Sequence, residues 1–293
     1  MSEACRANHR NRGGARPGGD RACEVPPKGD GMNQSPVAVT GHASYLLAPN
    51  PGPMTLDGTN SYVLSGNGGR SSVIVDPGPD DAGHLTALGA VGDVELILIT
   101  HRHHDHTEGA AALAAATGAP VRAADPAFSI AADPLRDGET VTAAGLDVTV
   151  LATPGHTADS VCFLLPSDGP DRPHGSVLTG DTILGRGTTV IAPPDGSLRD
   201  YMGTLRVLAG LGHAFVLPAH GPQLPDLQAI AADYLAHREQ RLDQIRDALV
   251  HLGLDPDEAA VGPVTDFVYH DVERSVRRAA EHSVAAQLDY LRG

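Results

Sequence analysis

Apolar residues in this chain fall into short runs broken by Gly, Pro and Asp. Residues 61–65 and 72–76 read as two strands joined by a turn over Gly66-Asn67-Gly68-Gly69. Asp81 to about Val91 reads as a helix, and the apolar run 94–100 as a strand. Gly109 to Thr117 is an Ala-rich helix that Gly118 ends. Short strands are expected near 121, 140–142, 146–151, 161–165, 176–179, 188–191 and 214–217, with a helix near 199–210 between them. From Asp226 onward the period changes. Ile230, Leu235, Leu242, Ile245 and Leu249 keep helical spacing up to Gly253, and residues 255–260 and about 272–291 read as further helices. Strands with helices interspersed predict an α/β fold: two β-sheets sandwiched between helices, an αββα arrangement over residues 32–225. A small helical domain over 226–293 follows it. Residues 1–31 are rich in Gly, Arg and Pro, lack periodicity, and are expected to form a disordered arm.

Composition narrows the class. With 41% hydrophobic residues a full core is possible, but only 3% are aromatic and none is Trp, so the core must rest on Val, Leu, Ile and Ala. No run approaches the 18 or so apolar residues of a membrane span. The arm has no apolar core of a secretory leader, and its four acidic residues count against a transit peptide. Three cysteines, none in a CxxC pair, argue against a disulfide framework and fit a reducing, cytoplasmic location. Cys162, inside Val161-Cys162-Phe163-Leu164-Leu165, reads as a small buried hydrophobe. The net charge of -15 repels phosphate backbones at long range. It argues against a protein that coats nucleic acid, but not against an enzyme whose bound metals supply a local positive field.

The chemistry concentrates at His101-Arg102-His103-His104-Asp105-His106, directly after the apolar run 94–100. Imidazole nitrogen and carboxylate oxygen suit zinc and similar divalent ions. The four groups in the register H-x-H-x-D-H cannot all reach one ion, and they supply about half of what two adjacent ions need. The remaining donors should follow other short strands. His156 lies in Thr153-Pro154-Gly155-His156-Thr157, Asp181 in Leu178-Thr179-Gly180-Asp181-Thr182, and His220 in Pro218-Ala219-His220-Gly221. Each repeats one local order: apolar strand, Gly or Pro, then a metal-type donor.

The motifs HxHxDH, TPGHT, TGD and PAHG together resemble the metallo-β-lactamase superfamily of hydrolases over roughly residues 45–225. The resemblance implies that His101, His103 and His156 hold one metal, that Asp105, His106 and His220 hold a second, and that Asp181 bridges them. An Asp bridge is similar to the glyoxalase II branch. The segment Asn50-Pro51-Gly52-Pro53-Met54-Thr55-Leu56-Asp57-Gly58-Thr59-Asn60 looks like the β-lactamase-like protein 2 family. So does Ala236-His237-Arg238-Glu239-Gln240-Arg241, which in that family opens a small winged-helix domain. The chain stops at Gly293, about where wing strands would start, so the domain is expected to be wingless. That family includes single-strand endoribonucleases and is similar to fungal thioesterases that act on carrier proteins.

The resulting expectation is a hydrolase with two divalent ions, zinc first, with iron and manganese compatible with the same donors. Its chemistry would be attack by a metal-held hydroxide on phosphorus or a carbonyl carbon, with Asp105 and Asp181 as the catalytic carboxylates. Single-stranded RNA is one substrate class, and a small-molecule ester or thioester the alternative. Several further residues are candidates. Asp76, in Val75-Asp76-Pro77-Gly78, either orients a ligand imidazole or starts a turn. Thr59 and Asn60 either line the site or shape a turn. His104, at a free position of the motif, is expected at the periphery or in solvent. Arg238 and Arg241 share a helix face, and either bind a substrate phosphate or carboxylate or pair with Glu239 or Asp243. Arg186 is a candidate for the site mouth.

Overall fold

The computed structural model describes residues 35–66, 69–271, 273 and 277–293, and residues Gly31–Gly293 form one compact unit. The expected disordered arm, the tip of the 66–69 turn and the start of the last expected helix lie outside the described residues. Six strands form the first sheet, in order β1 (Val37–Ala38), β2 (Ala43–Leu47), β3 (Asn60–Leu64), β4 (Ser71–Val75), β5 (Asp93–Leu98) and β6 (Val121–Arg122). Five form the second, in the order β11 (Phe215–Pro218), β10 (Ser176–Gly180), β9 (Val161–Leu165), β8 (Leu146–Ala152) and β7 (Thr140–Ala143). Both sheets are mixed: β4 pairs parallel with β5, β5 with β6, and β10 with β11.

Because strand side chains alternate, each sheet buries two faces. The inner faces meet through Leu64, Val73, Val75 and Leu98 of the first sheet and Val148, Val150, Phe163 and Leu178 of the second. The outer face of the first sheet, with Ile74, Ile97 and Ile99, is covered by Leu85 and Leu88 of α1 (Ala82–Gly89) and Leu113 of α3 (Ala110–Thr117). The outer face of the second, with Cys162, Val177 and Val216, is covered by Tyr201, Leu205 and Leu208 of α4 (Leu198–Gly210) and Leu227 and Ala231 of α5 (Leu227–Leu252). This is the expected αββα sandwich. Cys162 is fully buried, and burial pushes its thiol up to about 11, in line with a structural role.

The C-terminal end of α5 leaves the sandwich. Its Ile245, Ala248 and Leu249 form a separate small core with Val264 of α6 (Val261–Val268) and Val284 and Leu288 of α7 (Arg277–Arg292). No strand follows Pro218 among the described residues, and the regular elements after it are α5, α6 and α7. None of the described helices is long and apolar enough to cross a membrane.

Two expectations are corrected. Residues 188–191 form no strand, because the carbonyls of Thr189 and Val190 are taken by Arg238 and His156 and are not free for a ladder. Residues 255–260 form a turn, in which the Asp255 carboxylate accepts from Asp257 N at 3.0 Å; the helix starts only at Val261. Within the metal-type motif, His104–Thr107 makes one helical turn, α2.

Candidate metal centre

All seven candidate ligands converge at one end of the sandwich. His101 and His103 follow β5, the α2 turn carries Asp105 and His106, and His156, Asp181 and His220 follow β8, β10 and β11. Two glycines permit this approach. Gly155, at φ 140°, passes so close to α4 that a Cβ would lie 2.4 Å from Tyr201 Cα. Gly180, at φ 51°, would place a Cβ 2.8 Å from the Thr100 side chain. Only glycine meets both demands without strain. The Gly-His and Gly-Asp steps of the sequence are thus packing requirements of the donors they precede.

Donor atoms of His101, His103 and His156 lie within 4.8 Å of one another, as do those of Asp105, His106 and His220, and those of His101, His106 and Asp181. His103 Nδ1 is 3.0 Å from both His101 Nε2 and His156 Nε2. His220 Nε2 is 3.2 Å from Asp105 Oδ2 and 3.2 Å from Asp181 Oδ1, and His106 Nε2 is 3.5 and 3.6 Å from the same oxygens. Asp181 divides its carboxylate, with Oδ1 toward His106 and His220 and Oδ2 3.6 Å from His156 Nε2. A tetrahedral ion, with bonds of about 2.0–2.1 Å, spaces its donors about 3.3 Å apart. The separations fit that spacing. His106 Nε2, His220 Nε2 and Asp181 Oδ1 are also buried and make no hydrogen bond. Three orphaned donors facing one point are costly unless something positive sits among them. The residues therefore fit a divalent ion.

Four of the five imidazoles are held from behind. His106 Nδ1–H donates to Asp76 Oδ2 at 2.8 Å, His156 Nδ1 lies 2.9 Å from Val190 O and 3.1 Å from Thr189 Oγ1, and His220 Nδ1–H donates to Gly58 O at 3.1 Å. Thr100 Oγ1 donates to Asp76 Oδ2 at 2.7 Å and so accepts from His101 Nδ1 at 3.1 Å. Asp76 Oδ1 accepts from Thr100 N at 2.8 Å. Asp76 thus fixes the tautomers of His101 and His106, one ring from each group, leaving both Nε2 atoms free to ligate. It does so from φ 53°, a left-handed conformation costing about 1–3 kcal/mol that its three acceptor contacts offset.

The electrostatics of the two groups differ. Burial, together with His106 and His156, holds His101 well below its ordinary value. Burial and the same two rings bring His103 down to about 4. Burial also opposes charge on His106, but Asp76, Asp105 and Asp181 outweigh it and push that ring up to about 10. His220 is raised too: burial opposes this, and the contacts with Asp105 and Asp181 prevail. Burial disfavours the Asp105 anion, yet His106 and His220 hold the carboxyl far below its ordinary range.

The other candidates separate cleanly. Thr59 and Asn60 are buried and support the backbone of the donors. Thr59 Oγ1 donates to Asp105 O at 2.9 Å, and Asn60 Nδ2 donates to Pro218 O and Gly221 O, both at 2.9 Å, on either side of His220. His104 projects into solvent with its side chain 91% exposed, 3.7 Å from Glu108. Arg186 makes a two-pronged pair with Asp57 at 2.5 and 2.9 Å, one residue before the Gly58 carbonyl that His220 uses. Arg238 and Arg241 pair with neither Glu239 nor Asp243. Arg238 is buried and donates to Thr189 O at 2.6 Å, whereas Arg241 donates to Gln244 Oε1 at 2.7 Å. Asn50, Thr100 and Thr189 escaped the sequence reading. Asn50 brackets Thr59 with two hydrogen bonds, of 3.0 and 2.9 Å. Thr100 was visible only as the last residue of an apolar run.

Residues 54–220 match the Metallo-beta-lactamase superfamily. The chain is 33% identical over 219 residues to the Lactamase-like protein adaB of Aspergillus niger, a match covering 72% of this chain and 65% of that protein. It is 32% identical over 261 residues to the Beta-lactamase-like protein 2 homolog of Caenorhabditis elegans, covering 84% of this chain and 82% of that one. A solved metallo-beta-lactamase family protein from Thermus thermophilus shares the fold, with TM-score 0.68 and 23% identity over 86% of this chain and 93% of that one. The chain belongs to the metallo-β-lactamase superfamily, whose members are generally metal-dependent hydrolases. Within it, the chain is related to the lactamase-like proteins and to β-lactamase-like protein 2.

Proposed function

We propose that this protein is a dinuclear metal-dependent hydrolase of the β-lactamase-like protein 2 type. The observation that carries this reading is the divided Asp181 carboxylate, one oxygen toward His156 and the other toward His106 and His220. His101, His103 and His156 would hold one divalent ion, Asp105, His106 and His220 another, and Asp181 would touch both. Zinc suits these donors, and iron and manganese fit the same set. When bound, such a pair polarises a carbonyl or phosphoryl oxygen and acidifies water from 15.7 to about 7.

The chain's own residues supply position. Asp76 and the carbonyls of Gly58 and Val190 fix the imidazole tautomers. Asp105, with its side chain 28% exposed against 11% for Asp181, orients the attacking water with its carboxylate. The helical region α5–α7 beside the sandwich captures substrate. The buried, unpaired Cys162 accords with a cytoplasmic location.

Single-stranded RNA is the first substrate class, following the resemblance to the β-lactamase-like protein 2 family. A thioester is the second reading, favoured by the net charge of -15, which opposes a polyanion. Cleavage of a labelled single-stranded RNA, with EDTA and Asp105→Ala as controls, tests the first. RNA cleavage lost in both controls is the expected result. A metal-loaded sample that leaves RNA intact but hydrolyses thioesters selects the second, and one that cleaves neither RNA, esters nor thioesters contradicts the hydrolase reading.

A further inference from the structure

A pocket of about 280 Å³ lies where the 188–190 loop meets α5 and the residues around α6 and α7. Thr189, His237, Arg238, Arg241, Tyr269 and Ser283 are among its walls, and no described residue lining it is acidic. In a chain of net charge -15 such a pocket is an electrostatic exception. Arg238 is only 4% exposed, yet among the described residues no carboxylate pairs with it. Its Nη2 donates to Thr189 O at 2.6 Å and its guanidinium lies 5.1 Å from the Tyr201 ring centroid, but its Nε is buried without a partner. His237 Nδ1 is likewise buried and unpartnered. Arg241 sits 5.4 Å from the Tyr269 ring centroid with Gln244 as its neutral partner. Burial, then Arg238 and Arg241, hold His237 below its ordinary value.

A buried guanidinium without a counter-charge, beside two orphaned N–H or ring-nitrogen positions, is a site that lacks an anion. We propose that this pocket binds a small oxyanion, a carboxylate or a phosphate ester, through Arg238, Arg241 and His237. Guanidinium groups suit either ligand, since both present paired oxygens. The pocket is joined to the metal-type cluster through Thr189 and Val190: Thr189 O receives Arg238, while Thr189 Oγ1 and Val190 O lie 3.1 and 2.9 Å from His156 Nδ1. An anion drawn to Arg238 therefore acts on the loop that orients His156. Arg238 is in this respect also a positioning residue.

The chain has no Trp, so Tyr269→Trp places a single fluorescent reporter on the pocket wall. Metal-loaded full-length protein carrying it is titrated with inorganic phosphate and, separately, with acetate, at constant ionic strength. The expected result is a saturable emission change that weakens at least tenfold when Arg241→Gln is added. Tighter phosphate binding identifies a phosphate ester as the ligand class, and tighter acetate binding a carboxylate. Calorimetric titration of the natural chain against Arg241→Gln alone repeats the test without the reporter, and subtracts anions bound elsewhere. No saturable response to either anion, or a response indifferent to Arg241→Gln, overturns the proposal. Because binding is read without turnover, this outcome is separate from any failure of the hydrolase reading.

Discussion

The two donor groups stand on the same rim, yet they carry opposite electrostatic preferences. His101, His103 and His156 form an imidazole-only group in which burial and neighbouring rings keep His101 and His103 neutral. Asp105, His106 and His220 sit among carboxylates that pull positive charge into the group strongly enough to overcome burial. Nitrogen donors must be deprotonated to ligate. His101 and His103 are therefore ready at neutral pH, whereas His106 holds a proton where an ion would sit. Asp181 and Asp76 join the two, Asp181 in front through its divided carboxylate and Asp76 from behind through His106 and Thr100.

The largest effect should come from cutting the front link. Asp181→Ala removes a donor from both groups and leaves His106 and His220 without their shared oxygen. Its loss of turnover should exceed the 10–100-fold typical of losing an outer partner. Elemental analysis should show metal lost together with activity, and full retention of both would remove Asp181 from the centre.

Cutting the rear link comes next. Asp76→Ala should lower metal affinity about 10–100-fold in both groups together, since one carboxylate sets the tautomer of a ring in each. Competition titration with a chelating dye would show it, and weakening of only one group would break the coupling.

A pH series sharpens the contrast itself. His106 has a folded value of about 10, above the ordinary 6.5. Its contribution to metal-free stability is therefore fully present below about 6.5 and is lost as pH rises through about 10. The melting temperature of EDTA-treated protein should fall between pH 7 and 10. Metal binding to the second group displaces this proton, so affinity there should rise across the same window. His101 and His103, the latter at about 4, should contribute little to any change above pH 6. The smallest effect belongs to His104→Ala. That ring is in solvent, and both stability and turnover should stay within about 0.5 kcal/mol of the parent.

The seven donors were legible in the sequence because each stands at the end of an apolar strand, and two of them directly follow a glycine that close packing requires. The layers of the sandwich were legible for a related reason: strands whose two faces are both buried read as short continuous apolar runs. What was hidden depends on contacts between distant segments. Asp76 could be read equally well as a turn residue, since only the fold brings Thr100 and His106 to its carboxylate. Strand β1 is two exposed edge residues, too short to show a pattern. Helix α6 was not read from the sequence, although its Pro263 stands in the first turn, where a proline gives up no helical hydrogen bond. Thr189 and Val190 have strand-forming side chains, but Arg238 and His156 claim their carbonyls.

The most direct test of the account is the zinc stoichiometry of the full-length protein, by equilibrium dialysis with elemental analysis at pH 8, compared with Asp181→Ala. The account predicts about two ions per chain in the parent and fewer in the variant. Saturation of the parent at one ion, or no binding at all, would contradict two donor groups joined by a shared carboxylate.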